Sequence, residues 1–150
     1  MKVTVFESLF SETPHHVHLS QALKRIQSGR SSTLIADVRE GNKEAKKKLP
    51  VVLFSGEFAS RKDDALFEHS GLVVLDFDHV DVEKTKQALA TDDFVLACWT
   101  SPSGDGIKAL VKITNPERHR DHFRSLISYF DKQYGLQVDE TGIHESRDSL

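Results

Sequence analysis

Asp76 and Asp78 close the apolar run LVVLDFD, and carboxylates at the end of such a run need a partner. Residues two apart on a strand share a face, so Asp76 and Asp78 project together while Phe77 turns to the apolar side. Neighbouring ionised carboxylates repel, and one gains a proton unless a cation sits between them. An oxygen-only ligand set of this kind suits Mg²⁺ or Mn²⁺. Two such ions about 3.5–4 Å apart would activate an attacking hydroxyl and stabilise a leaving pyrophosphate. The plain alternative is a pair of solvated acids at a strand's end, and D-x-D by itself does not choose.

The stretch SPSGDGIKALVKI supplies a second group. Gly104 and Gly106 would let backbone N–H groups come close to a phosphate, with Ser101 and Ser103 adding hydroxyl donors. Lys108 would bring a point charge to the same place. No G-K-S/T opens a helix here, and IKALVKI reads as strand, so neither a Walker loop nor a dinucleotide fingerprint is present. A hairpin turn that needs glycine for positive φ explains the same residues without a ligand. The third group is Asp139, with Arg147 eight residues on. A late acid could complete a three-carboxylate site, and Arg147 could hold a triphosphate bidentately. Each alone is also an ordinary surface residue.

The elements that must position these groups emerge from periodicity. Lys2 to Phe6 alternates as a first strand, and residues 11 to 19 read as a loop. Ser20 is expected to cap a short helix that Gly29 stops, and Thr33 to Val38 forms a weak helical stretch. Asn42 caps the helix of GNKEAKKKLP, which Pro50 ends. Val51 to Phe54 is a short strand, and residues 55 to 70 cross back to the acid-ending strand. Asp81 caps VEKTKQALA. FVLACWT, Phe94 to Thr100, reads as a buried strand that forms a hairpin with IKALVKI. Asn115 and Pro116 open the longest helix, whose stripe is Phe123, Leu126, Ile127, Phe130 and Tyr134, and Gly135 ends it. After it comes a short strand bearing Asp139. The pattern is that of a mixed α/β or α+β domain without repeats or linkers.

The 150 residues are 38% hydrophobic and 29% charged, which suits one globular domain over 1–150. A net charge of −3 argues that any nucleic-acid contact comes from a local patch. The single cysteine, Cys98, excludes an internal disulfide framework and a cysteine-based zinc cluster, and reads as a buried apolar residue. No apolar run approaches the roughly 20 residues of a membrane span, and MKVTVFESLF lacks a signal-peptide pattern. A soluble, cytoplasmic protein is expected, with no membrane partner.

The order acid pair, Ser/Gly turn with a basic residue, then late acid resembles the archaeo-eukaryotic primase superfamily. Its primase-polymerases carry an h-h-h-D-x-D strand, an S-x-H motif and a late h-D. Closer still is the resemblance to the VirE N-terminal family, found in replication proteins of phages and mobile elements. The matching stretches are KKKLPVVLFSGEF, HSGLVVLDFDH, SPSGDGIKALVKI and VDETGIHESR, over roughly Lys46 to Arg147. The resemblance implies an α+β core with a mixed or antiparallel sheet, flanking helices, and the acids at one mouth. It implies metal-dependent nucleotidyl transfer, with Asp76, Asp78 and Asp139 as ligands of Mg²⁺ or Mn²⁺. Ser101, Ser103 and Lys108 would contact a nucleoside triphosphate. The partners it implies are a single-stranded or primed template and a helicase or ATPase domain or protein. Lys108 stands where the superfamily has its motif histidine, and the chain could be the N-terminal fragment of a longer protein. A non-catalytic nucleotide- or nucleic-acid-binding module of the same fold is one alternative.

A second alternative comes from another class. LVVLDFDHV also fits the nucleophile strand of haloacid-dehalogenase-type phosphatases, with Asp76 as nucleophile, Asp78 as acid/base and Thr100 binding phosphate. The late position of the strand and the lack of paired acids after Asp139 count against it. Among other candidates, His15, His16 and His18 cluster, and His119 and His122 share a helix face, but no H-E-x-x-H accompanies them. Lys43, Lys46 to Lys48, Arg61 and Lys62 could track a nucleic-acid backbone, though a solvated face explains them equally well. Arg118, Arg120 and Arg124 read as surface residues.

Overall fold

The computed structural model describes residues 1–149. Its first half contains β1 (Lys2–Phe6), β2 (His15–His18), α1 (Leu19–Gln27), α2 (Ser32–Arg39), α3 (Lys43–Lys48), β3 (Val51–Leu53), β4 (Gly56–Phe58) and β5 (Leu66–His69). The second half contains β6 (Leu72–Phe77), α4 (Val82–Ala90), β7 (Val95–Thr100), β8 (Ile107–Lys112), α5 (His119–Tyr134) and β9 (Asp148–Ser149). Single 3₁₀ turns form at Asp63–Ala65, Pro116–Arg118 and Glu140–Ile143. Among the described residues the strands form three antiparallel sheets, in the orders β2-β1-β3-β9, β4-β5 and β6-β8-β7. The chain is α+β.

Period two along the β6-β8-β7 sheet builds both cores. Val73, Leu75 and Phe77 of β6 and Ile107, Ala109 and Val111 of β8 face α4 and α5, meeting Leu89, Phe123 and Phe130. Phe77 meets Phe130 edge to face, 5.4 Å between centroids, a favoured aromatic geometry. The alternate residues Leu72, Val74 and Leu110 face the other way, onto Val3, Val5, Val52 and Ala22. The sheet is therefore covered on both faces, which explains why all of β6 is buried. Asp76 and Lys108 are Cα partners in the β6-β8 register. A slip of one residue would move both to the opposite face. Thr4 supplies a separate tie. Its buried hydroxyl donates to the Gly56 carbonyl (2.8 Å) and accepts the Phe58 N–H (2.9 Å), joining β1 to β4.

Several helix ends are built as the sequence predicts. Asn42 Oδ1 accepts from the Ala45 N–H, Asp81 Oδ1 from the Lys84 N–H, and Gly135 ends α5 at φ +66°. Ser20 is not a cap; it lies inside α1, where Gln21 Oε1 accepts the His18 N–H instead. Residues 15 to 18 are not loop but an outer strand on β1. Residues 56 to 69 fold into the β4-β5 hairpin. β7 is an edge strand, because β8 takes the centre of its sheet; Phe94 and Leu96 are half exposed rather than buried. Asp139 lies on no strand and opens the 3₁₀ turn Glu140–Ile143. Among the described residues no helix is long and apolar enough to cross a membrane.

Candidate functional site

Asp76 is the penultimate residue of β6 and is only 5% exposed. An uncompensated carboxylate there would cost several kcal/mol. Lys108 Nζ, directly opposite on β8, donates to Oδ1 at 2.9 Å. Arg147 donates to Oδ2 through Nη2 at 2.6 Å and Nε at 3.2 Å. Two cations from distant parts of the chain thus offset one buried charge.

Asp139 arrives beside Asp76. Its N–H donates to the Asp76 carbonyl at 2.9 Å, and its Oδ2 lies 3.4 Å from Arg147 Nη2. Its other oxygen caps the 3₁₀ turn, accepting from the Thr141 N–H (3.0 Å) and Oγ1 (2.8 Å). Burial alone would raise the Asp139 pKa; the Thr141 hydrogen bonds and the charges of Arg147 and Lys108 outweigh it and hold the group below the ordinary carboxylate range. Asp78 comes just after the strand's last residue and is exposed. The donor atoms suit a hard divalent ion, and in this structure the Asp76 oxygens pair with Lys108 and Arg147. Among the described residues no group of three or more His, Cys, Asp or Glu could hold a metal ion.

The Ser/Gly turn spends much of its polarity on itself. Ser103 Oγ donates to Asp105 Oδ1 at 2.7 Å, so the 2.9 Å contact between Ser101 and Ser103 has Ser101 as donor. Asp105 Oδ2 faces His79 Nδ1 at 2.7 Å. The Ser103 hydrogen bond lowers the Asp105 pKa, desolvation opposes it, and His79 adds to the lowering. Gly104 needs its φ of +87°, and a Cβ on Gly106 would lie 2.9 Å from the Phe77 carbonyl. The glycines therefore serve turn geometry and close packing on the end of β6. Sequence reasoning misses Asp105 and His79, although they stand within GDG and next to the acid pair.

Some of these groups border a cleft of about 360 Å³. Asp76, Asp78, Ser101, Ser103, Lys108 and Arg147 line it, together with Lys46 of α3. Gly104, Gly106 and Asp139 are not among its lining residues. Arg61 does not reach it: the guanidinium donates to the Leu9 carbonyl and lies 5.5 Å from the Phe6 ring centroid. Of the histidines, His16 Nε2 contacts the Phe58 carbonyl, and His119 pairs with His69 at 2.9 Å.

A family model described as BT4734-like, N-terminal domain matches residues 44–144. The chain belongs to that family. The BT4734-like span covers roughly two thirds of the chain, from α3 through the turn that Asp139 opens, and includes every cleft residue named above except Arg147. No curated protein and no solved structure matches the chain.

Proposed function

We propose that the chain is a nucleotide-binding domain of primase-polymerase type whose reaction is nucleotidyl transfer onto a primed or single-stranded nucleic acid. The observation that supports it is one cleft in which Lys46, Lys108 and Arg147 meet the hydroxyl-bearing turn and the acids Asp76 and Asp78. Three cations facing two carboxylates favour a polyanion over a neutral ligand. Lys46 and Lys108 attract the triphosphate as point charges, and the Arg147 guanidinium adds a third positive charge at the cleft. Asp78, exposed at the cleft, is available to orient a hydroxyl on the incoming strand. Mg²⁺ or Mn²⁺ belongs to this reading through the primase resemblance alone, as do replication of a phage or mobile element and a helicase or ATPase partner.

A second reading, nucleotide binding without turnover, is favoured by the charge balance at Asp76, which already has Lys108 and Arg147 as partners. The phosphatase alternative gains nothing here, since a nucleophilic Asp76 would have to break both contacts before attack.

Calorimetry with a nucleoside triphosphate, with and without Mn²⁺, and extension of a primed template separate these readings. The proposal expects binding, incorporation, and loss of incorporation in Asp78→Ala. Binding without product leaves only the second reading. Absence of nucleotide binding, or incorporation undiminished by Asp76→Ala with Asp78→Ala, removes the first.

A further inference from the structure

Asp63 opens a 3₁₀ turn between β4 and β5 and gathers donors from far along the chain. Its Oδ1 accepts from the Ser146 N–H at 3.0 Å and from Ser146 Oγ at 2.5 Å. Its Oδ2 accepts from Arg120 Nη2 at 3.1 Å and faces His144 Nδ1 at 2.8 Å. Arg120 also donates to Glu145, with Nε at 3.3 Å from Oε1 and Nη2 at 3.3 Å from Oε2. Residues 144, 145 and 146 are therefore each held by a side chain from elsewhere in the fold. The next residue is Arg147, whose N–H closes a turn on the His144 carbonyl at 3.1 Å and whose guanidinium reaches Asp76.

No regular element covers residues 144–147. Fixing backbone outside helices and sheets costs conformational entropy that no ladder of hydrogen bonds repays. Side-chain staples must offset it here, and Asp63 supplies most of them. We propose that Asp63 is a positioning residue: by anchoring His144 and Ser146 it holds Arg147 in the cleft. Its own electrostatics fit the task. Burial would raise its pKa, but the hydrogen bonds from Ser146 and then His144 hold it at about 2, so it stays an acceptor. The consequence for ligands rests on the nucleotide pocket proposed above; the anchoring of Arg147 does not.

Asp63→Asn keeps the shape of the side chain but turns one acceptor into a donor facing donors. The Arg147 Nε–H resonance and its exchange with solvent report on the anchoring directly. The variant should keep its fold and exchange that proton about tenfold faster, the size expected for losing a charge-assisted hydrogen bond upstream. Tripolyphosphate affinity should fall about tenfold in the Arg147 background and not at all on top of Arg147→Ala, as a double-mutant cycle would show. An unchanged Arg147 signal, or an equal loss of affinity in both backgrounds, overturns the proposal. Should Asp63→Asn not fold, Ser146→Ala removes one anchor while keeping the charge, and the same two outcomes apply with a smaller shift. If the unaltered protein does not bind tripolyphosphate, the nucleotide pocket falls, and the Arg147 resonance alone decides for or against Asp63.

Discussion

Asp76 and Asp63 are both carboxylates that gather donors from distant parts of the chain, yet they are assembled in opposite ways. Asp76 stands on a regular strand, and strand register alone places Lys108 across from it. Its side chain is 5% exposed and is met by two cations, Lys108 and Arg147. Asp63 sits in a single turn of 3₁₀ helix with its side chain 31% exposed, and it draws on Arg120, His144 and Ser146. A ladder specifies position with few additional contacts, and here it brings Lys108 opposite Asp76 without further staples. Irregular chain has no ladder of its own, and between the 3₁₀ turn at Glu140–Ile143 and β9 it is fixed by several convergent bonds. The buried centre should therefore dominate stability, and the more exposed one should dominate the placement of Arg147.

The comparison can be broken at its larger end first. Asp76→Ala strands Lys108, which is 13% exposed, and should cost about 3–5 kcal/mol in urea unfolding. A loss below about 1 kcal/mol would show that the pair is not energetically buried.

Next comes acid. His119 is buried, contacts His69 through Nδ1, and has no hydrogen-bond partner at Nε2 among the described residues. Burial drives its pKa from 6.5 down to about 4, with Glu145 and Asp63 opposing and His69 and Arg120 assisting. Between those values the unfolded chain takes up a proton that the folded chain refuses, so stability must fall as pH falls, by up to about 1.4 kcal/mol per pH unit. Asp63 acts in a lower window. Its pKa drops from 3.8 to about 2, so its contribution is full above the unfolded value and disappears as pH falls through about 2. Melting temperature against pH should become shallower between 6.5 and 4 in His119→Phe, and below 4 in Asp63→Asn, with His69 and the other low-pKa carboxylates keeping the remaining slope.

At neutral pH Asp63→Ala should cost about 1–2 kcal/mol, less than Asp76→Ala because solvent partly replaces its donors. Smallest of all, Arg118→Ala breaks an exposed pair with Asp121 and should change stability by less than about 0.5 kcal/mol. If Asp63→Ala proves no more costly than Arg118→Ala, convergent bonds do not stabilise the irregular segment.

What is legible in the sequence tracks the same division. β6 can be read from its continuous apolar run, β8 and α5 because period two and period 3.6 persist over six residues or more, and three ends because Asn42, Asp81 and Gly135 have local backbone jobs. β2 cannot, since HHVH offers almost no apolar alternation and its register is set by pairing with β1. Phe94 and Leu96 read as buried because composition does not reveal that a strand lies at an edge. Among site residues, the adjacency of Asp76 and Asp78 comes from counting along one strand, whereas Lys108 meets Asp76 only through the β6-β8 pairing, which the sequence does not show. The Asp63 centre has no such signal. Its donors lie 57 to 83 residues away in non-repeating chain, and only tertiary packing brings them together. Asp139 misleads for a related reason: VDET reads as strand, but its acid serves as a cap.

One hydroxyl carries a consequence of its own. Thr4 stitches the opening strand to the Gly56–Phe58 segment through a single oxygen, with no ladder between them among the described residues. Valine has the same outline and an equal taste for extended backbone, so propensity arguments would welcome the swap. It would strand a carbonyl and an amide away from water, at about 1–3 kcal/mol for each. At this spot the better-looking substitute is the one the fold should refuse.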